Sequence, residues 1–348
     1  MAASTNKLQI FMTGVTGYIG GTVLQLLLEH PKRDTFEITA YVRNAEKAKK
    51  LEAFGVRTVL GDLDDVDKLE VAASKANVII NFASSDHFPG NTAILRGMKK
   101  RHEKAGEVPI IIHTSGTGVL ADDARGDRSS DIIYYDTNPD QIETLPDTQN
   151  HRSVDMAVVA ADKAGYARTY IIVPSVVYGL ATGKLADAGI MNRHSLLPPL
   201  LLKAGFDRGQ GGVAGEGKNI WPGVELNETA QLFIIVLEAA LAHPERPLPH
   251  GREGFFFAEN GEFPMIVVCK EIAKILYDMG KAKSPEPTPF THDEILKYFG
   301  GYTLSTNARA RADRGRALGW KPVKTTADLL ASLRPEAEVY VPNLEKKV

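Results

Sequence analysis

Thiol chemistry is almost absent from this chain: a single cysteine, Cys269, stands among 348 residues. A lone cysteine excludes an intrachain disulfide and any multi-cysteine zinc site, and it fits a reducing, cytoplasmic setting best. A charge excess of either sign is also missing. Lysine and arginine total 41 against 43 for aspartate and glutamate, a formal net charge of −2, whereas a dedicated nucleic-acid binder carries a strong basic surplus. No apolar run is long enough for a bilayer: 231–242 is too short, and 196–202 is interrupted by Pro198-Pro199. The opening segment MAASTNKLQIF holds no apolar stretch of the secretory kind. The expectation is therefore a protein with neither a membrane nor a nucleic-acid partner, and the sequon Asn227-Glu228-Thr229 is read as chance. The nine histidines show no HxxxH or HExxH spacing, so no metal is expected.

What remains is an ordinary globular composition, 43% hydrophobic and 24% charged, long enough for two domains. The first 180 residues alternate short β-rich runs with helical patterns. Strands are expected at 8–12, 37–42, 57–60, 78–82, 109–114 and 170–173, and helices at 18–29, 44–54, 66–76, 92–105 and 152–167. Strands alternating with helices imply a parallel sheet covered on both faces, and runs such as VIINF and IIIH fit strands buried on both sides. Residues 121–150 break this rhythm and read as a structureless functional flap carrying Tyr134 and Tyr135. Beyond residue 180 the chain turns irregular, with helices expected at 228–242, 264–278 and 292–299 and a stiff linker at Ser284–Pro289. The fold class is α/β: a doubly wound parallel sheet over 1–180, then a smaller, partly interleaved α+β substrate domain over 181–348, with parts of 213–266 returning to the first domain.

The strongest local signal is Thr13-Gly14-Val15-Thr16-Gly17-Tyr18-Ile19-Gly20, which follows a strand and opens a helix. Gly14 allows a tight turn, Gly17 lets the backbone approach a pyrophosphate, and Gly20 lets the helix lie close to the strand. Thr16, Gly17, Tyr18 and Ile19 then surround a helix N-terminus that favours anions. The second strand ends Tyr41-Val42-Arg43, with no acid for a ribose 2′-hydroxyl. A guanidinium grips a 2′-phosphate that a carboxylate would repel. With Lys47 one turn on, NADP(H) is favoured over NAD(H). After the third strand, Asp62 and Leu63 follow Gly61. Asp62 can accept from an adenine amino group or cap the next helix.

Together these motifs resemble the extended short-chain dehydrogenases/reductases, relatives of the nucleotide-sugar epimerases, over nearly the whole chain. TGVTGYIG matches the family's glycine motif, Gly61-Asp62-Leu63 its adenine motif, and Asn81-Phe82-Ala83-Ser84 its fourth-strand motif beside the cofactor. Val173-Pro174-Ser175-Val176-Val177-Tyr178-Gly179 resembles the family's segment near the nicotinamide, Val213–Asn227 (VAGEGKNIWPGVELN) its GdGxxxxxxVhvdD segment, and Leu318–Pro322 its C-terminal LGWxP. The resemblance implies a Rossmann domain with Phe82, Ala83, Ser84, Thr114, Pro174, Val176 and Val177 against the cofactor. It also implies a homodimer through the helices at 92–105 and 152–167.

The family's acid/base tyrosine and ribose-binding lysine, in YxxxK, are missing, as in a similar fungal branch. Gly116 falls where the family's hydroxyl usually stands, flanked by Ser115 and Thr117. Where YxxxK should open a helix the chain reads His151-Arg152-Ser153-Val154-Asp155. The one literal YxxxK, Tyr277–Lys281, is far away in sequence and read as coincidence. His151 and Asp155 lie i,i+4 and share a helix face. A carboxylate there would stabilise an imidazolium able to protonate a carbonyl oxygen, and Asp155 would take over the ribose hydroxyls. Ser115, Thr117, His151 and Asp155 are thus the catalytic candidates. Tyr178 reads as pocket wall. Arg309, Arg311, Arg314 and Arg316 read as a solvated face, with Arg309 a lesser candidate for a substrate diphosphate. The expected activity is an NADP(H)-dependent oxidoreductase on a small carbonyl or alcohol compound. A non-catalytic NADP(H) redox sensor and a nucleotide-sugar epimerase or dehydratase are the alternatives.

Overall fold

A computed structural model of the chain describes residues 7–242, 245 and 247–346. Its spine is a sheet of seven strands, β1 Leu8–Thr13, β2 Phe36–Val42, β3 Arg57–Leu60, β4 Val78–Asn81, β5 Ile110–Thr114, β6 Arg168–Pro174 and β7 Phe255–Ala258. Across the sheet they run β7-β6-β5-β4-β1-β2-β3, every neighbouring pair parallel. The strands are apolar because both faces are covered: all four residues of β4 are buried, as are all four of β7. The helices that feed the sheet are α1 Tyr18–Leu28, α2 Ala45–Glu52, α3 Val66–Ala73, α4 Phe88–Ala105 and α5 Arg152–Lys163. Right-handed crossovers place α1 and α2 on one face and α3 to α5 on the other, because the chain reverses direction across the sheet between β1 and β4. A sixth long helix, α6 Leu226–Ala242, packs on α1. The crevice beyond the carboxyl ends of β1 and β4 is where such a sheet binds ligands.

Helix ends depart from expectation for local reasons. α4 starts at Phe88, four residues early, because the His87 ring accepts from the Gly90 N–H at 3.1 Å and Pro89 fits the first turn. α5 stops at Lys163, short of 167, where Gly165 turns the chain at φ +79°. Outside the large sheet, Ile220–Glu225 lies parallel to Val176–Tyr178 and antiparallel to Glu262–Pro264.

Two expectations, a structureless 121–150 and a linker at Ser284–Pro289, are corrected. Residues 121–150 are not structureless but form a strap stitched to the C-terminal part. Tyr134–Tyr135 pairs with Ala310–Arg311, and Pro139–Glu143 is a short helix. Asp136, 1% exposed, accepts from the backbone N–H groups of Phe257, Asp313 and Arg314 at 3.0–3.1 Å. Arg252 grips Asp140 and Glu143. Likewise Ser284–Pro289 is not a stiff linker standing by itself but is tied to the body of the protein: Thr288–Pro289 pairs with Gly212–Val213, and the Gln210 amide donates to the Ser284 and Glu286 carbonyls. No described helix is long and apolar enough to cross a membrane.

Candidate active site

The glycine motif forms the turn that its sequence requires. Gly14 sits at φ +66°, and a Cβ there would lie 2.8 Å from the Phe82 carbonyl carbon. Only glycine meets both conditions, since the clash is with backbone that has nowhere to go. At Gly20 a Cβ would lie 2.4 Å from the Gly14 oxygen. Helix α1 begins after Gly17 with no side-chain cap and no acid in its first turn, leaving its N–H groups free for an anion. This cradle fits a dinucleotide pyrophosphate. The Thr16 carbonyl accepts from the Asn192 N–H, and the Tyr18 hydroxyl donates to the Gly179 carbonyl.

At the end of β2, Arg43 is exposed and makes no ion pair or side-chain hydrogen bond among the described residues. Asn44, not an acid, caps α2 by accepting from the Lys47 N–H at 2.9 Å. Asp62 turns its Oδ1 back onto the Asp64 and Asp65 N–H groups. One carboxylate oxygen therefore serves the turn, and Leu63 packs partly buried against the core. Phe82 presents backbone to Gly14 while its ring packs on Phe233, centroids 4.8 Å apart. Ser84 takes a positive φ of 40°, and its carbonyl accepts from Asn91.

Under this loop runs a buried polar chain. Thr13 Oγ1 donates to Asn81 Oδ1 and accepts from the Ala83 N–H. The Asn81 amide group then donates to Asn91 Oδ1 at 2.6 Å and to His113 Nδ1 at 3.0 Å. His113 Nδ1 is thus an acceptor, and its proton sits on Nε2. That Nε2 stands 3.8 Å from Asp155 Oδ1, and neither atom has a hydrogen-bond partner. Burial holds the His113 imidazole down to about 3, with nearby His151 adding to the effect.

The expected His151–Asp155 pair is not formed. The two share a helix end, but His151 is the N-cap residue of α5 at φ 67°, which turns its ring outward from the helix. It pairs with Asp86: both the His151 N–H and its Nδ1 lie 2.9 Å from Asp86 Oδ1. Asp155 is wholly buried and instead accepts from Ser115 Oγ at 2.8 Å. Burial pushes its carboxyl up to about 7, against the pull of Ser115 and Arg152. A carboxyl so enclosed cannot reach ribose hydroxyls, so that expected role falls.

His151 Nε2 faces two glycines: Cβ atoms at Gly116 and Gly118 would lie 3.2 and 3.3 Å from it. The glycine standing at the family's hydroxyl position is thus the space that the imidazole occupies. The ring lines a cavity of about 490 Å³ together with Ser115, Thr117, Tyr18, Ile19, Pro174, Val176 and Val177. Thr117 Oγ1 and Ser175 Oγ, both in this lining, are buried without a partner, as is Thr114 Oγ1 nearby in β5. Such orphans call for a ligand or water. Ser85, Asp86, Asn150, Ser175, Leu196, Leu197, Trp221, Thr303 and Leu304 complete the wall with the two glycines. Sequence reasoning missed Asp86, although it stands only two residues after the fourth-strand motif. Its partner is 65 residues away, beyond any periodicity.

Other candidates lie elsewhere. Tyr134 and Tyr135 belong to the strap and do not line the cavity. The Tyr178 hydroxyl donates to the Thr325 carbonyl. Tyr277 is exposed on the helix Met265–Asp278. The arginine run is not a solvated face: Arg309 and Arg311 grip Glu262, Arg316 grips buried Glu259, and Arg314 donates to the Asp136 carbonyl. Arg309, held also by the Ser130 carbonyl, is not free for a diphosphate.

The fold is the Rossmann-like α/β fold of solved epimerases and dehydratases, and the cradle lies in the part of the chain that matches an NAD(P)H-binding family. Residues 14–127 match the family described as NAD(P)H-binding. The chain is 29% identical to the oxidase ucsJ of an Acremonium species over 90% of its own length and 93% of that protein's. Among solved structures it is similar to dTDP-glucose 4,6-dehydratase from Bacillus anthracis in complex with NAD, TM-score 0.62 at 18% identity, covering 97% and 98% of the two chains. It is also similar to UDP-glucose 4-epimerase from Thermotoga maritima with UDP-glucose, TM-score 0.64 at 14% identity, covering 97% and 100%.

Proposed function

We propose that the protein is an NADP(H)-dependent oxidoreductase acting on a small carbonyl or alcohol compound, with His151 as its acid/base. One observation carries this reading: a single cavity brings His151 and Ser115 together with Tyr18, Ile19, Pro174 and Val176 from the cofactor motifs. Bound NADP(H) supplies or accepts the hydride. Asp86 fixes the His151 ring through Nδ1, which leaves Nε2 as the atom that gives a proton to a carbonyl oxygen or takes one from a hydroxyl. Ser115 and Thr117 orient that oxygen, and Asp155 acts through Ser115 as a positioning residue. Arg43 and Lys47 hold the 2′-phosphate, and the N-terminus of α1 holds the pyrophosphate.

The test is His151→Phe. Removing a general acid costs about 10²–10⁴-fold in rate, so turnover should fall at least a hundredfold while NADPH affinity, measured by calorimetry, stays within twofold. Unchanged turnover would remove His151 from the chemistry.

A further inference from the structure

The walls of this cavity are unsuited to a polyanion. Among the described residues lining it there is no lysine or arginine; its ionisable groups are Asp86, His151 and Tyr18. A nucleoside diphosphate sugar carries two negative charges, which need cations or many N–H donors once out of water. The arginines of the run Arg309, Arg311, Arg314 and Arg316 are committed to Glu262, Glu259 and the Asp136 carbonyl. Of the remaining wall, Ser85, Asn150 and Thr303 are polar but uncharged, and the larger part is apolar. Leu196 and Leu197 come from the start of the helix Leu197–Arg208, Trp221 from the small sheet, and Leu304 from the turn beside it. The Trp221 indole N–H is spent on the Thr306 carbonyl, so its ring offers only carbon to the cavity. Hydroxyls and the imidazole gather at the ends of β5 and β6: Ser115, Thr117 and Ser175, with His151 beside them.

We infer that the substrate is an uncharged, largely apolar carbonyl or alcohol compound, its oxygen held among Ser115, Thr117 and His151 and its body against Trp221, Leu197 and Leu304, and not a nucleotide sugar. The inference rests on the oxidoreductase reading for the chemistry but on the cavity walls alone for the ligand class. Leu196, 71% exposed at the mouth, would cover the outer end of such a ligand.

The test is a binding ladder on the full chain, with and without NADP+, so that no turnover is required. Acetophenone, propiophenone and butyrophenone are titrated by calorimetry alongside UDP-glucose and dTDP-glucose. The phenyl ketones should bind, with affinity rising roughly fourfold per added methylene until the wall is met, the ratio that burial of one CH₂ gives. The nucleotide sugars should show no saturable heat under the same conditions. Leu196→Lys, a change at an exposed position that leaves the core intact, should flatten the top of the ladder. Nucleotide sugars binding as tightly as the ketones, a flat ladder, or no ketone binding at all would each overturn the inference. A regular ladder without NADPH-dependent reduction would leave the ligand class standing and refute the oxidoreductase reading.

Discussion

Asp155 offers a stability measurement whose sign follows from its burial. In an unfolded chain its carboxyl ionises near 3.8, whereas in the folded protein burial holds the proton on up to about 7. Between those values the folded state binds one more proton than the unfolded state. Stability from this group is therefore full at low pH, falls as pH rises from about 4, and levels off above about 7. Each pH unit inside the window is worth about 1.4 kcal/mol. Two units, from pH 5 to 7, amount to roughly 3 kcal/mol, with no discount for solvent because the side chain is fully enclosed. Asp155→Asn keeps the shape and the acceptor for Ser115 Oγ but cannot ionise. Urea unfolding of both proteins at pH 5, 6, 7 and 8 isolates the effect, since every other titrating group cancels in the difference. The variant's advantage should grow by about 3 kcal/mol between pH 5 and pH 8. A difference that does not change with pH would mean that Asp155 is ionised throughout, stabilised by Ser115 and the His113 Nε2–H, and the reasoning from burial would fail.

Other outcomes follow from single contacts. Arg43→Ala should weaken NADP+ about 10–100-fold, the worth of a charge-assisted hydrogen bond, and leave NAD+ within a few-fold, as read by calorimetry; equal losses for both would show that Arg43 does not touch a 2′-phosphate. Gly14→Ala should abolish cofactor binding and lower stability by about 1–2 kcal/mol or more, because the methyl meets the Phe82 backbone at a positive φ; thermal denaturation and a cofactor titration check the two effects. Asp136→Ala leaves three backbone N–H groups without their acceptor and should cost roughly 2–4 kcal/mol, with limited proteolysis first cutting the strap between Ala121 and Tyr135.

The sheet was readable because parallel buried strands leave an unmistakable trace, short apolar runs spaced by helical periods, and because Gly14, Gly17 and Gly20 satisfy a geometry that few other residues can. β3 runs over the predicted residues 57–60, and every other expected strand overlaps an observed one. What escaped was everything set by contacts distant in sequence. Residues 121–150 look like loop because two-residue strands and a five-residue helix are too short to show a period, and the partners at Phe257 and Ala310 lie more than a hundred residues on. The arginine run looked solvated because Glu259 and Glu262, about fifty residues earlier, carry no mark of being its partners. At the site, helical spacing correctly put His151 and Asp155 at one helix end, but it assumed that His151 was inside the helix. As the cap residue, with a left-handed backbone, it swings toward Asp86, and Asp155 is left to Ser115.

The strap also orders events in time. Asp136 emerges from the ribosome well before the groups it will hold, the Arg314 N–H lying 178 residues further along the chain. At about 5–20 residues per second, translation leaves that gap open for roughly ten to forty seconds. During this interval the Asp136 carboxylate is in water, Tyr134–Tyr135 has no strand to pair with, and β6 has a bare edge until Phe255–Ala258 arrives. The nucleotide-binding half is thus completed from its own C-terminal end. A nascent chain stalled between residues 180 and 250 has β6 as an outer strand of its sheet, the place that β7 takes in the finished protein.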